Sequence, residues 1–266
     1  MKHYSRVLTI AGSDSGGGAG IQADIKAISA TGSYAASAIT AVTVQNTLGV
    51  IDVFPVPASV VAAQIDAVLS DIGADAIKIG MLNSSEIIRA IASKLSEYPV
   101  RNIVLDPVMV STSGHRLMEE SAHTALVTEL IPMARVITPN IPEAEILAGE
   151  RIYGKDDLPG IARKLSFGGR VSVLMKGGHL DGPELVDWFY NAENDSMVEL
   201  RSEKVDTPNT HGTGCTLSSA FASYLAQGLP LDDAARAAKR YIARAVESGS
   251  RYEIGHGHGP VDHFFS

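Results

Sequence analysis

The sequence is short of the features that would mark a secreted, membrane-bound or nucleic-acid-binding protein. Its 266 residues contain one cysteine, Cys215. No intrachain disulfide can form, which fits a reducing compartment. Positive charge is in deficit: 22 Lys and Arg stand against 30 Asp and Glu, for a formal net charge of -8, and no basic stretch stands out. That argues against nucleic-acid binding, which needs Lys and Arg to neutralise phosphates. Anionic ligands stay open, because backbone N–H groups can hold a phosphate locally. Long apolar runs are missing too. Residues 7–11 are too few for a signal-peptide core and are ended by Gly12-Ser13-Asp14. Residues 60–69 are broken by Gln64 and Asp66, and no stretch is long enough to span a bilayer. We expect a cytoplasmic protein with no membrane and no nucleic-acid partner. No linker, repeat or low-complexity tract interrupts the chain, so one domain over residues 1–266 is the expectation.

What is present is an ordinary enzyme-like mixture, 45% apolar and 20% charged, in a chain long enough to bury a core without staples. Short apolar segments alternate with amphipathic ones. Strands are expected at 7–11, 35–44, 50–54, 76–79, 102–105, 135–138 and 171–175. Residues 184–189 and 198–201 read as a hairpin. Helices are expected at 19–31, where Ile21, Ile25 and Ile28 share a face, and at 59–72, 84–96, 121–131, 157–167, 214–226 and 231–248. Ser84 suits an N-cap. The alternation implies an α/β fold with a mostly parallel sheet covered on both faces, whose ligands bind beyond the C-terminal strand ends.

Two glycine-rich loops lie at such ends. The first runs from Gly12 to Gly20. It has no Gly-Lys-Ser/Thr, and Ile21 occupies the last glycine position of G-x-G-x-x-G. Alone it reads equally as a tight turn or a ligand contact. The second, Asn209-Thr210-His211-Gly212-Thr213-Gly214-Cys215, enters a helix. Unpaired N–H groups and the helix dipole make such an entry an anion site. Cys215 in the first turn reads either as a small packed hydrophobe or as a reactive sulfur. On the second reading the field of the helix favours thiolate in the empty site.

Several stretches together carry a family likeness. They are Thr9-Ile10-Ala11-Gly12-Ser13-Asp14-Ser15 with Gly17-Gly18-Ala19-Gly20-Ile21-Gln22-Ala23-Asp24, then Val44-Gln45-Asn46-Thr47, Lys78-Ile79-Gly80-Met81-Leu82 and Leu105-Asp106-Pro107-Val108-Met109. Thr138-Pro139-Asn140-Ile141-Pro142-Glu143-Ala144, Met175-Lys176-Gly177-Gly178-His179, the loop ending in Cys215-Thr216-Leu217-Ser218, and the tail Gly257-His258-Gly259-Pro260-Val261 continue it. The chain resembles, nearly end to end, the hydroxymethylpyrimidine/phosphomethylpyrimidine kinases of the ribokinase superfamily.

The resemblance implies a ribokinase-like fold with a mostly parallel central sheet flanked by helices on both faces. It implies ATP-dependent phosphorylation of 4-amino-5-hydroxymethyl-2-methylpyrimidine and then of its monophosphate, for thiamine synthesis. On this likeness Cys215 accepts the substrate hydroxyl proton, and Gly212, Thr213 and Gly214 form the anion hole. Gln45 bonds the pyrimidine edge, an amide offering donor and acceptor together. Gly12, Asp24, Met81 and Val108 line the same pocket. Asn140 and Glu143 hold Mg²⁺ and phosphate through water, Asp106 stands near the metal, and Lys176 approaches the ATP phosphates. Other superfamily members usually carry Asp where Cys215 stands. A homodimer is left open.

One departure stands out: Thr112, in the run from Val110 to His115, lies where the family often has Lys, with His115 or Arg116 as substitutes. Plainer readings also exist. Met81 suits a core filler, Asp106 a strand end before Pro107, and Asn140 to Glu143 a helix start. Gln45-Asn46 suits a polar turn. His256, His258 and His263 read as structural or exposed rather than as a metal site. A pyridoxine/pyridoxal kinase is the nearest alternative. A thiol hydrolase pairing Cys215 with His211 and a non-catalytic ligand sensor are more distant ones.

Overall fold

A computed structural model describes residues 3–109, 118–178 and 184–265. Nine strands form one sheet: β1 Arg6–Ser13, β2 Tyr34–Asn46, β3 Gly49–Pro55, β4 Ala76–Ile79, β5 Ile103–Leu105, β6 Val136–Ile137, β7 Ser172–Met175, β8 Glu184–Asn191 and β9 Ser196–Glu203. Their order is β3-β2-β1-β4-β5-β6-β7-β8-β9. The six strands from β2 to β7 in that order run parallel, while β3 and β8 pair antiparallel to their inner neighbours. The expected hairpin forms as β8 and β9, with Glu184 opposite Glu203.

Adjacent side chains in the central strands point to opposite faces. Leu8, Ile10, Ile77, Ile79, Ile103, Leu105, Ile137 and Val173 face one cluster. It is closed by α2 Ala58–Asp71, α3 Ser85–Ser96, α4 Glu120–Ala125, α5 Ile141–Ala148 and α6 Leu158–Lys164. Val7, Ala76, Val104, Val136 and Leu174 face the other, covered by α1 Gly20–Ala30, α7 Thr213–Ala226 and α8 Leu231–Gly249. The continuous Val/Ile/Leu runs of the strands are those of a sheet buried on both sides.

Several expected elements change at their ends for local reasons. The helix at 121–131 shortens to α4 and continues as a π-turn, Leu126–Leu130, and a 3-10 turn, Ile131–Met133. Pro132, which has no N–H to donate, stops it. The helix at 157–167 ends early because Phe167, Gly168 and Gly169 all take positive φ. Ile25 on α1 is partly exposed instead of sharing the buried face of Ile21 and Ile28. β2 runs on through Gln45 and Asn46, so these residues are strand, not turn, and the reversal falls at Thr47 and Leu48. Ser84 caps α3, accepting from the N–H of Ile87.

Candidate active site

The first glycine loop is built around one carboxylate. Asp14, nearly fully buried, accepts from the backbone N–H of Gly16, Gly18 and Ala19 at 2.8, 3.0 and 2.8 Å. Gly20 has φ +55, and a Cβ there would lie 2.3 Å from the Gly12 carbonyl. Only glycine lets the chain double back into α1. The second loop rests on the first. A Cβ on Gly212, φ +80, would meet the Gly18 oxygen at 1.8 Å, and His211 Nε2 lies 2.9 Å from Asp14 Oδ2. Burial works against the Asp14 carboxylate, yet His211 and the loop N–H groups hold it below its usual range. The tail locks the assembly from behind. The His211 N–H donates to the Gly259 oxygen, and Asn209 donates to the carbonyls of Gly249 and Tyr252.

Gly212 precedes α7, which has no side-chain cap. The N–H groups of Gly214 and Cys215 make no hydrogen bond to any described residue. They carry the positive end of a fourteen-residue helix. Beside them stands a charged centre. Lys176 Nζ lies 2.8 Å from Asp106 Oδ1 and 3.9 Å from Glu143 Oε2. Thr138 donates to the same Asp106 oxygen at 2.9 Å. A Cβ on Gly214 would come within 3.2 Å of Lys176 Nζ and 3.5 Å of Asp106 Oδ2, so the helix entry abuts this centre. Burial disfavours the Asp106 charge, but Lys176 and Lys78 outweigh it and depress its pKa. Glu143 is pushed up to about 7 by burial, with Asp106 adding to the effect and Lys176 opposing it. Asn140 and Glu143 form a reciprocal capping box on α5: Asn140 Oδ1 accepts from Glu143 N–H, and Glu143 Oε2 accepts from Asn140 N–H. The helix-start reading of this motif is therefore met, and both side chains also line the cavity.

That cavity, about 940 Å³, is lined by Gly12, Gln45, Met81, Val108, Asp106, Asn140, Glu143, Lys176, Gly212, Thr213, Gly214 and Cys215. The sheet order sorts these residues. Gly12, Gln45, Met81 and Val108 sit on or after the neighbouring strands β1, β2, β4 and β5. Asn140 and Lys176 follow β6 and β7, next to Asp187 on β8 and Ser202 on β9. The entry of α7 lies across the junction. A group held between β2 and β5 thus meets one held between β6 and β9 at the anion hole.

Two expectations are corrected. Asp24 does not line the cavity. It is 0% exposed, and both carboxylate oxygens are taken by Lys78 Nζ at 2.8 and 2.9 Å, with Thr9 and Ser219 hydroxyls donating to it as well. A carboxylate compensated this fully has no lone pair turned to a ligand. Nor is the thiolate favoured in the ligand-free site. Burial pushes the Cys215 thiol up to about 11, the Asp24 and Asp106 carboxylates add to it, and Lys78 and the Gly20 N–H oppose it without prevailing. The helix field is real but is outweighed by loss of solvent.

The sequence reading missed three participants. Asp14 stood inside the quoted motifs without a role, His211 had one only in the thiol-hydrolase alternative, and Lys78 looked like one residue of a strand. The only signal for Lys78 was a lysine within the apolar run of β4, a charge that must find a buried partner. His211 Nε2 is engaged by Asp14 and Gln45 rather than by Cys215, which removes the Cys–His pairing a thiol hydrolase needs. His263 is buried, with its Nε2 3.0 Å from Thr216 Oγ1, and burial drops its pKa to about 4. Among the described residues no group of three or more His, Cys, Asp or Glu converges as a metal site, and no helix is long and apolar enough to cross a membrane. Thr112, His115, Arg116 and His179 lie outside the described residues.

The model of the phosphomethylpyrimidine kinase family matches residues 14–262. The chain belongs to this family. A hydroxymethylpyrimidine/phosphomethylpyrimidine kinase of Rhizobium meliloti is 50% identical to it, over 97% of this chain and 96% of that protein. Among solved structures, a phosphomethylpyrimidine kinase of Clostridium difficile is similar with 45% identity and a TM-score of 0.80, covering 91% of this chain and 99% of that one. A pyridoxal kinase of Staphylococcus aureus in complex with AMP-PCP and pyridoxal is similar with 34% identity and a TM-score of 0.89, covering 99% and 94%. The fold is ribokinase-like, as expected, and the protein is a kinase. The motifs that carry the likeness, except the tail at residues 257–261, each contribute residues to the cavity.

Proposed function

We infer that this kinase transfers the γ-phosphoryl group of ATP to the hydroxymethyl group of 4-amino-5-hydroxymethyl-2-methylpyrimidine and then phosphorylates the resulting monophosphate, supplying the pyrophosphate for thiamine biosynthesis. The carrying observation is the meeting of three parts at one point: the Gln45 pocket, the open N–H groups of α7, and the Lys176–Asp106–Glu143 centre. Phosphoryl transfer through a loose transition state asks for positioning and charge stabilisation more than for covalent chemistry. Gln45, Met81, Val108 and Gly12 hold the ring. The Gly214 and Cys215 N–H groups, with Gly212 and Thr213 shaping the loop, bind the transferring phosphoryl oxygens. Lys176 neutralises charge on the nucleotide side. The sulfur of Cys215 is the acceptor for the hydroxyl proton. Because burial keeps most of the thiol protonated, only its minor thiolate form can take that proton.

Asp106 and Glu143 fit a hydrated Mg²⁺, which is typically held by one or two carboxylates together with substrate phosphates. When bound, the ion would supply neutralisation of the phosphate charge, and the two carboxylates would hold it. We take the chain as one kinase domain, a reading supported by its single nine-stranded sheet, and place it in the cytoplasm on the strength of its lone cysteine. The exposed apolar row of Val42, Val44, Ile51 and Phe54 on β2 and edge strand β3 supports a homodimer formed there.

A second reading, pyridoxal phosphorylation, is favoured by the likeness to the Staphylococcus aureus enzyme. ATP-coupled turnover on hydroxymethylpyrimidine, its monophosphate and pyridoxal tests both. Turnover on the two pyrimidines at least tenfold above pyridoxal is expected, and preference for pyridoxal would exchange the two readings.

A further inference from the structure

Gln45 is the pocket side chain whose donor and acceptor could be exchanged, since an amide keeps its outline when turned end for end. As placed, its nitrogen lies 3.3 Å from His211 Nε2 and its oxygen 3.1 Å from Thr43 Oγ1. Proton accounting requires the opposite. Asp14 accepts from three backbone N–H groups and is ionised. His211 Nε2, 2.9 Å from Asp14 Oδ2, must therefore carry a proton, because a lone pair there would face a carboxylate. With Nε2 a donor, the Gln45 end beside it has to be the carbonyl oxygen. The other end is then the amide nitrogen, donating to Thr43 Oγ1. Thr43 has one hydroxyl proton, and it goes to the Ser13 carbonyl at 2.7 Å, leaving its lone pairs for the amide. The single Nε2 proton is shared between Asp14 Oδ2 at 2.9 Å and the Gln45 oxygen at 3.3 Å. The reverse order sets two donors against each other and asks one Thr43 proton to serve two acceptors.

We propose that His211 is a specificity-determining positioning residue, whose Nε2 proton, held by Asp14, orients the Gln45 amide and so selects rings that present a donor beside an acceptor. His211 is itself well fixed: its N–H donates to Gly259, and a Cβ on Gly18 would meet its Cδ2 at 2.5 Å. With both amide ends tethered, Gln45 keeps one lone pair and one N–H for a ligand, in a set order. An aminopyrimidine edge, an exocyclic amino group next to a ring nitrogen, answers both. A pyridine ring bearing a hydroxyl and a formyl group lacks the amino donor. The proposal rests on the reading of Gln45 as the ring contact.

The test has two arms. A long-range ¹H–¹⁵N correlation spectrum of the wild-type protein should show His211 protonated at Nε2 at neutral pH; an unprotonated Nε2 overturns the proposal without any variant being made. In steady-state kinetics, His211→Leu should raise the KM for hydroxymethylpyrimidine about tenfold, the usual scale for one lost buried polar pairing. The KM for ATP and the kcat should move much less. His211→Gln, which restores an N–H donor, should recover most of the loss. In a Gln45→Met background, His211→Leu should add less than twofold. An equal tenfold loss in both backgrounds means that His211 serves the loop and not Gln45, and the proposal fails. Unchanged pyrimidine kinetics in Gln45→Met alone would instead remove Gln45 from the ring site, a separate outcome scored by its own variant.

Discussion

Ligand-free Cys215 should alkylate with iodoacetamide about twentyfold more slowly than an exposed thiol at pH 7.5. The perturbation is pH, and the magnitude follows from burial. With the thiol pushed up to about 11, the thiolate fraction at pH 7.5 is roughly 3 in 10,000, against about one in ten for an ordinary cysteine. That is a deficit of about 300-fold. A more basic thiolate is a better nucleophile, and a Brønsted slope of about 0.45 returns roughly 13-fold of it. Cys215 is the chain's single cysteine, so mass spectrometry of the intact protein reads the modification without ambiguity. The observed rate constant should climb tenfold per pH unit to beyond pH 10. A plateau between pH 7 and 8 would refute the reasoning and restore a helix-dipole thiolate. The same shift has a stability sign. The native thiol keeps its proton more tightly than the unfolded one, so its contribution is complete below about pH 9 and is lost as pH rises towards about 11.

Four further outcomes follow from the same geometry. Cys215→Ser should keep the anion hole and lower turnover by about 10²–10⁴ with ATP affinity little changed, the range for removing a proton acceptor; near-wild-type turnover would show that the sulfur only packs. Gln45→Met should weaken hydroxymethylpyrimidine use far more than ATP binding, by about 1–3 kcal/mol, read as the KM for each substrate. Glu143→Gln should raise the Mg²⁺ concentration needed for half-maximal rate while leaving pyrimidine affinity intact; an unaltered Mg²⁺ titration would reduce the capping box to a helix start. Asp24→Asn should strand the buried charge of Lys78 and cost about 3–5 kcal/mol in denaturant unfolding, whereas a weakened pyrimidine KM at full stability would return Asp24 to the pocket.

Much of the fold was legible because the strands declare themselves. Buried parallel strands need apolar side chains on both faces, and runs such as Ile103–Leu105 and Ser172–Met175 are nearly without polar interruption. Element ends were less legible. The stop at Pro132 could be read locally, but the positive φ of Phe167 could not, since a bulky residue takes that conformation only when its surroundings impose it. The stretch from Ile141 to Ala148 was visible only as a helix start, because eight residues with little periodicity leave a weak pattern.

The candidate site divides in the same way, by whether a role depends on the residue or on its partners. Loop glycines carry their reason with them: at Gly212 and Gly20 a side chain would strike backbone within 2.3 Å. Ionisable residues do not. Asp24 looked like a ligand contact, yet whether a carboxylate faces a pocket depends on whether a cation has already claimed it, and Lys78, 54 positions away, had. Cys215 at a helix entry looked like a thiolate, yet the dipole is worth about 0.3–1 kcal/mol near a surface and falls short of the cost of burying a charge beside two carboxylates. Both corrections come from one arrangement. Lys78 is paired with Asp24 and Lys176 with Asp106, so each cation near the sulfur comes with a carboxylate, and the pull of Lys78 on the thiol does not prevail.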